Sequence, residues 1–568
     1  MTTLVRILRS ALPAGHMIQI LLIITAVGAF PRVYTAVKAP LNYDEYWHLF
    51  IAKQDSRATM AAEWRRNAHP PLYLWLLKVV TSLGTGPLID RSISLLAGLT
   101  VVFLVGRIVS RLTSSALVST LAALAVALSP SAIDLSSEIR SYMLCTAFLL
   151  FAFSQFLSIV DDAVPPSIFT MLLWSGGSCL ALLSHYYAAF FIATCGAALL
   201  YVGAVHLAHR GDLPPGLARR WPVLALLVLP IAALGMFLYQ THLRTRMGNP
   251  EGHLLAFYYH AGDSLLGYSR AAVFNLYELF SPLPLPTSTA HLLFVAAVIL
   301  LGAVVVYLVR VDRRVRDIPR CMPALFLLLL TVELYVASVR GWYPFGGDLR
   351  QQFILFPFLV IALSVLLDSA LAVHRLAAFS AVGLAVVGIC LNVSTLSRGP
   401  ASPRHEAGAF ATMFSREMDI YQRAFPDPPM VYLDQFSLIV FFAHHERSRW
   451  RSIGPDTYEV TGSSERIVVL RDSKRWNVDL LDDRTYADIA TRLPSEPLAA
   501  TTVFSLRYPI PPQATKETFA EAIQQLAPCL AARHNLQMSR VIVDGFNVFA
   551  ELKRGRDSEW GSKCRSES

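Results

Sequence analysis

Charge is scarce in this chain: only 16% of its 568 residues are Asp, Glu, Lys or Arg, against 54% that are hydrophobic. With a mean hydropathy of +0.47, there is more apolar side chain than a water-soluble core can hide, so a soluble protein is excluded. Cysteine is also sparse, seven in all, and Cys145, Cys179, Cys195, Cys321 and Cys390 fall in or beside apolar runs. There cysteine is an ordinary small hydrophobe, so a disulfide scaffold is excluded. No internal repeat is present, and no basic patch interleaved with aromatics points to nucleic acid. The formal net charge of +9 is instead explained by arginine-rich loops between spans.

What the chain has in abundance is long apolar runs, at the roughly twenty residues a helix needs to cross about 30 Å of hydrocarbon. Helices are therefore the expected spanning elements. The first run, Met17 to Val37, follows Arg6 and Arg9 and precedes no small-residue cleavage pattern, which predicts an uncleaved first span. Further spans are predicted near Ile93–Ile108, Ala116–Leu128, Tyr142–Val160, Ile168–Leu183, Tyr187–Val205, Pro222–Tyr239, Leu292–Leu308, Met322–Val339, Phe353–Ala370 and Leu376–Val393, about eleven in total. Leu72 to Ser82 is too short to cross comfortably and is assigned to the interface. This gives an all-α membrane domain over 1–397, with outer loops 38–92 and 241–291, and a C-terminal domain over 398–568.

Lys and Arg gather on cytoplasmic loops. The run from Arg310 to Arg320 and the loop holding Arg210, Arg219 and Arg220 are the strongest such loops. Placing them inside puts the amino terminus inside and the C-terminal domain outside. Asp161-Asp162 breaks the rule and is taken as a solvated turn. On the outer face this topology collects Asp44-Glu45, His69, Glu138, Arg140, Tyr142, His185-Tyr186-Tyr187, the loop Thr241–His291, Arg340 and Arg350.

The C-terminal segment alternates short β-type runs, Met430–Leu433, Arg466–Leu470, Thr502–Leu506 and Arg540–Val543, with helical stretches such as Lys516–Ala527, which Pro528 is expected to end. That pattern predicts a small α/β domain, and it contains no phosphate-binding glycine loop. Cys529 and Cys564 both lie in it, where an oxidising compartment would permit a disulfide.

The chemistry is concentrated in Leu41-Asn42-Tyr43-Asp44-Glu45-Tyr46-Trp47-His48 and, some twenty residues on, His69-Pro70-Pro71-Leu72-Tyr73. Two adjacent carboxylates at a membrane edge are costly to desolvate and useless for spanning. Neighbouring residues point in different directions on a helix or a strand, so Asp44 and Glu45 cannot face one another across a sugar as the two carboxyls of a glycosidase do.

The order of the acidic pair after the first span, the His-Pro-Pro-x-Tyr motif, Ser136-x-Glu138-x-Arg140-x-Tyr142, His185-Tyr186-Tyr187 and a late Arg350 before a Phe/Pro-rich span resembles the GT-C fold glycosyltransferases. Within them it is most similar to the branch of protein O-mannosyltransferases and lipid A aminoarabinose transferase, over about Leu4 to Val393. Ser137 stands where relatives often have Arg, and Gln351-Gln352 follow Arg350 where Tyr is common.

The resemblance implies an inner-membrane enzyme that transfers a sugar from a polyprenyl-phosphate donor, with inversion, to an envelope acceptor outside the cytoplasm: a lipid, a glycan or a protein. Asp44 is then the expected base for the acceptor hydroxyl. Glu45 is expected to orient or bind the acceptor, with Tyr46 beside it. Arg350 and Arg140, with His69 and Lys78 behind them, are candidates for the departing phosphate. Glu138, Tyr142, His185 and Tyr186 are expected to line the substrate site. No cofactor is required by this scheme, although Asp44, Glu45 and Glu138 have the chemistry to hold a divalent metal.

Plainer roles compete for several of these residues. Arg350 suits snorkelling, Arg140 a pair with Glu138, His69 a helix cap, and the tyrosines an aromatic belt. Glu333, within an apolar run, is expected to pair with an outer arginine such as Arg340, seven residues on. The long loop 241–291 reads equally as a lid or a spacer. A lipid transporter or flippase is the rival class, but it should show paired halves and interrupted spans, and neither is evident. A third possibility is an assembly protein whose α/β domain recognises envelope glycan.

Overall fold

The structure is a computed structural model of the whole chain. It describes residues 14–161, 165–210, 215–245, 258–259, 264–280, 286–311, 318–346, 349–373, 382–383 and 386–394. In the C-terminal region it describes 418–421, 423–424, 430–433, 435–445, 448, 450–454, 456–461, 466–469, 483–492, 501–506, 516–544 and 547–554. The chain divides into two compact units, one of residues 1–39 with 64–402 and one of 40–63 with 403–568. The sequence boundary at 397/398 leaves 40–63 with the membrane domain, whereas packing sorts that segment with the C-terminal domain.

The helices in chain order are α1 Ala14–Lys38, α2 Tyr43–Ala52, α3 Arg57–Arg66, α4 Leu72–Leu83, α5 Ser92–Leu112, α6 Ala116–Ala127, α7 Pro130–Ser136, α8 Tyr142–Ile159, α9 Ile168–Ser184, α10 Ala188–Arg210, α11 Pro215–Thr241, α12 Leu265–Phe280, α13 Ala290–Val311, α14 Ile318–Val339 and α15 Leu355–Val373. Among the described residues six helices are long and apolar enough to cross a membrane, or seven if the bent pair α6–α7 is one span. α4, with 12 residues, is a short apolar helix. α9 and the stretch Leu355–Leu371 of α15 are also apolar but shorter, in the range of 10–17 residues. Parts of Leu376–Val393 lie outside the described residues.

No interrupted span is evident from the sequence, yet α6 and α7 are bent by 57° at a break. Ser129-Pro130 explains it: proline has no N–H and clashes with the preceding turn, so α6 must stop. Ser129 then caps α7 by accepting from Ala132 N, at 3.4 Å, with Pro130 at its first turn. The break leaves carbonyls at the end of α6 in an apolar interior, where each must find a donor. Arg32 of α1, fully buried, supplies the donors: Nη2 to Val126 O at 3.0 Å, Nη1 to Ala127 O at 2.6 Å and Nε to Ser136 Oγ at 3.1 Å. Gly98 on α5 allows the approach, because a Cβ there would collide with the Ser136 side chain. The core below is apolar and aromatic, with Phe153 and Phe156 of α8 packed on Phe326 of α14 and Phe153 also on Phe358 of α15.

In the second unit, strands β1 Met430–Leu433, β2 Trp450–Gly454, β3 Thr457–Val460, β4 Arg466–Val469, β5 Thr501–Leu506, β6 Leu536–Asp544 and β7 Asn547–Arg554 form one sheet in the order β2-β3-β4-β1-β5-β7-β6. β1 is central and parallel to β4 and β5, pairing Met430 with Arg466 and Thr501. The remaining neighbours are antiparallel. Val431, Tyr432 and Leu433 are buried, as a continuous apolar run in a central parallel strand requires. Helices α16 Gln435–His444, α17 Asp483–Arg492 and α18 Lys516–Arg533 complete the unit. α18 does not end at Pro528 as expected but runs through it to Arg533. Ala527 and Ala531 both pack into the cluster around Tyr432, Tyr486 and Val548, which holds the helix on either side of the proline. Cys529 is disulfide-bonded, whereas Cys145, Cys179, Cys195, Cys321 and Cys390 are free. Cys564 lies outside the described residues.

Candidate functional site

Asn42 starts α2 with a reciprocal cap: its side chain accepts from Glu45 N at 2.9 Å, and Glu45 Oε2 accepts from Asn42 N at 2.9 Å. Glu45 is 1% exposed. Its carboxylate thus serves the helix start, a role in line with the orienting function expected of it. Asp44 and Tyr46 are half-buried. His48 Nδ1 lies 2.7 Å from Asp44 O, fixing the first turn further. These residues all belong to the unit of 40–63 and 403–568.

The other unit gathers the remaining candidates at one end of α4, α5, α8 and α9. Arg140 Nη1 donates to His69 Nε2 at 3.0 Å. Guanidinium has only donors, so Nε2 must accept and His69 carries its proton on Nδ1. α4 has no side-chain cap hydrogen bond at its start. Glu138 meets Arg350, Oε2 to Nε 3.5 Å, with both side chains largely buried. Arg350 is therefore drawn inward rather than snorkelling. Tyr73 OH bonds Ser94 Oγ at 2.9 Å, and Ser94 Oγ donates to Arg140 O at 3.0 Å. The His-Pro-Pro-x-Tyr motif thus holds Arg140 by both its side chain and its backbone.

Aromatic rings surround this pair. His185 lies 5.1 Å from His69, 4.7 Å from Tyr142 and 4.3 Å from Tyr187 between ring centroids. Tyr187 N donates to His185 Nδ1 at 3.1 Å. Burial, with Arg140 nearby, pushes the His185 pKa down to about 3, so this ring stays neutral. The His-Tyr-Tyr turn faces two ways. Tyr186 leaves the cluster to hydrogen-bond and stack on His242, whose ring also stacks on Trp64 at 5.3 Å. Trp64 Nε1 in turn donates to His69 O at 3.0 Å. Lys78, nine residues on from His69, is half-buried on α4.

Arg32, Ser94, Trp64 and His242 were not singled out from the sequence. A histidine just beyond a span and the lone tryptophan of α3 were the available signals. Ser137 Oγ donates to Arg32 O at 3.1 Å, so the clamp at the α6–α7 break also anchors the start of the Glu138–Arg140 turn. Loop 241–291 contains the 16-residue α12; its segments 246–257, 260–263 and 281–285 lie outside the described residues. Gly346, at φ +71°, sits where a Cβ would be 2.6 Å from Ala272 Cα of α12, pinning the loop before Arg350 to that helix. Glu333 does not pair with Arg340: it accepts from Thr194 Oγ1 of α10 at 3.2 Å. Among the described residues no group of three or more His, Cys, Asp or Glu side chains is arranged to hold a metal ion.

Apolar spanning helices, a broken span and a cationic, aromatic cluster at the helix ends define a multi-pass membrane protein of the GT-C fold. No family model and no curated relative matches the sequence. By structure the chain is similar to ArnT from Cupriavidus metallidurans bound to undecaprenyl phosphate, at 14% identity and TM-score 0.52, covering 94% of this chain and 97% of that one. The apo state of the same protein gives 13% identity and TM-score 0.52 with the same coverage. The apo oligosaccharyltransferase of Archaeoglobus fulgidus gives 11% identity and TM-score 0.47, over 89% of this chain and 71% of that one. At these identities the likeness is one of fold.

Proposed function

We propose that this chain is a glycosyltransferase that moves a sugar from a polyprenyl-phosphate donor to an acceptor outside the cytoplasm, in a single displacement that inverts the anomeric centre. The observation that carries the reading is the cationic end of the membrane unit, where Arg140 is braced by neutral His69 and Arg350 by Glu138. An arginine held by an imidazole keeps its place without that bond neutralising it, which suits it to meet charge growing on a leaving phosphate. The fold likeness to ArnT, described as bound to undecaprenyl phosphate, supports the same donor class.

In this mechanism the acceptor hydroxyl gives its proton to the Asp44 carboxylate while its oxygen bonds to the anomeric carbon. The carbon–oxygen bond to phosphate breaks, and its electron pair leaves with the polyprenyl phosphate. That leaving group needs no strong acid, so one carboxylate suffices where glycosidases need two. Tyr142, His185 and Tyr186 would offer rings and hydrogen-bonding groups to the sugar, and Lys78 a second cation to the phosphate.

An eleven-span topology counts the six long helices, the α6–α7 pair, α9, α13, α15 and the run near 376–393. It puts the C-terminal domain outside, a placement that the disulfide at Cys529 supports, since disulfides persist in oxidising compartments. The test is mass spectrometry of envelope lipids with and without the protein, followed by an assay of its membranes for release of polyprenyl phosphate from the lipid-linked sugar that accumulates. A transferase releases it; a flippase leaves the donor chemically intact, and that result would reject the proposal.

A further inference from the structure

The helix that carries Asp44 is built into the core of the C-terminal domain. Trp47, His48, Leu49, Phe50, Ile51 and Ala52 of α2 are buried. The Phe50 ring stands edge-on in a box made by Phe442 of α16 at 5.3 Å, Trp450 of β2 at 6.0 Å and Tyr458 of β3 at 5.7 Å. The box walls touch one another as well, Phe442 with Trp450 at 5.5 Å and Trp450 with Tyr458 at 6.2 Å. A second tie lies past α2, where Tyr458 OH donates to Glu63 Oε1 at 2.9 Å. Glu63 is 1% exposed and Tyr458 3%. A hydrogen bond between a buried phenol and a buried carboxylate is a charge-assisted contact that holds both groups in place.

Segment 43–63 is thus fastened at two points, both of which reach Tyr458 of β3, although 395 residues separate Glu63 from Tyr458. Phe50 follows Asp44 by six residues on one short helix, roughly 9 Å along its axis. A shift of the ring in its box is therefore a shift of the acid.

We propose that Phe442, Trp450 and Tyr458 of the C-terminal domain are positioning residues for Asp44, acting through Phe50 and Glu63. This rests on the assignment of Asp44 as the base. It gives the domain a role within the transfer step, in place of a separate glycan-recognition module. Asp44 has to lie within hydrogen-bond reach of a bound hydroxyl, about 2.6–3.2 Å, and a misplacement of about 1 Å costs on the order of a hundredfold in rate.

The test uses the full-length protein in lipid nanodiscs. The substrate is the labelled polyprenyl-phosphate-sugar pool extracted from membranes lacking the protein, with release of polyprenyl phosphate as the readout. Phe50→Ala and Trp450→Ala should lower kcat about tenfold to a hundredfold and leave KM for the donor within about twofold, as expected when ground-state binding is untouched. The gentler Tyr458→Phe and Glu63→Gln should each lower kcat by several-fold, and Trp450→Phe should restore most of the loss seen in Trp450→Ala. On an Asp44→Asn background these changes should add little to the residual rate, because their effect runs through that carboxylate. Folded variants with wild-type kcat, or losses in Asp44→Asn that simply multiply, would overturn the inference. If Asp44→Asn itself turned over at the wild-type rate, the base assignment would fail first, a separate outcome.

Discussion

The two units hold their working groups by different means. In the membrane unit Arg32, Arg140 and Arg350 are fixed by hydrogen bonds and ion contacts to carbonyls, an imidazole and a carboxylate. In the second unit the short helix that carries Asp44 is seated by apolar packing around Phe50, six residues away, in addition to the hydrogen bonds of its cap. In a lipid-facing domain every buried polar group must find a protein partner, so the partners also become the scaffold. A domain with its own sheet can hold a loop by its rings and leave the acid half-buried. Substitution should therefore act differently in the two regions: removing a buried polar group that satisfies the backbone damages folding in the first, and apolar changes damage turnover in the second.

Arg32→Met breaks the first arrangement most severely. Removing the guanidinium strands two buried carbonyls at the end of α6, and we expect a loss of about 3 kcal/mol or more of stability, visible as a large drop in melting temperature in detergent. Arg32→Lys, which cannot reach three acceptors in a fork, should recover only part of it. Within the site, Arg140→Gln should leave the protein folded and lower kcat for polyprenyl phosphate release about a hundredfold, in the range for losing one donor to developing charge.

His185 sharpens the comparison through pH. Its folded-state pKa lies near 3 against an ordinary value of 6.5, so above pH 6.5 it is neutral whether folded or unfolded and contributes no pH dependence. As pH falls from 6.5 toward 3 the unfolded chain takes up a proton that the folded chain refuses, and stability declines. Melting temperatures across that window should fall in wild type and fall less in His185→Asn. Glu333→Gln is expected to have the smallest effect: the amide can still accept from Thr194, and the melting temperature should change by no more than a few degrees, with activity retained.

Composition and the spacing of apolar runs made the membrane class legible, and five weak motifs in one order made the fold legible. Even a local feature was missed: Asn42 and Glu45 form a cap that their spacing permits, but the acidic pair was read for its chemistry alone. What else stayed hidden depends on distant contacts. Nothing near Phe50 announces Phe442, Trp450 or Tyr458, so segment 40–63 reads as a membrane-domain loop until the packing assigns it to the other unit. Arg32 reads as a basic residue within the first span, because the carbonyls it satisfies exist only once Ser129-Pro130 has broken α6. For Glu333, helical spacing pointed to Arg340 just beyond its own helix, but the hydrogen bond it accepts comes from Thr194 on α10.

The central claim concerns which carboxylate of the adjacent pair performs the chemistry, and one paired measurement addresses it. Glu45→Gln should keep the reciprocal cap, since glutamine serves at that helix position as well as glutamate. Asp44→Asn keeps the shape of the side chain and removes the base. In the polyprenyl phosphate release assay, the first variant should stay within about threefold of wild type and the second should fall by about a thousandfold, within the range for losing general base catalysis. The reverse pattern, with an active Asp44→Asn and an inactive but folded Glu45→Gln, would contradict the account.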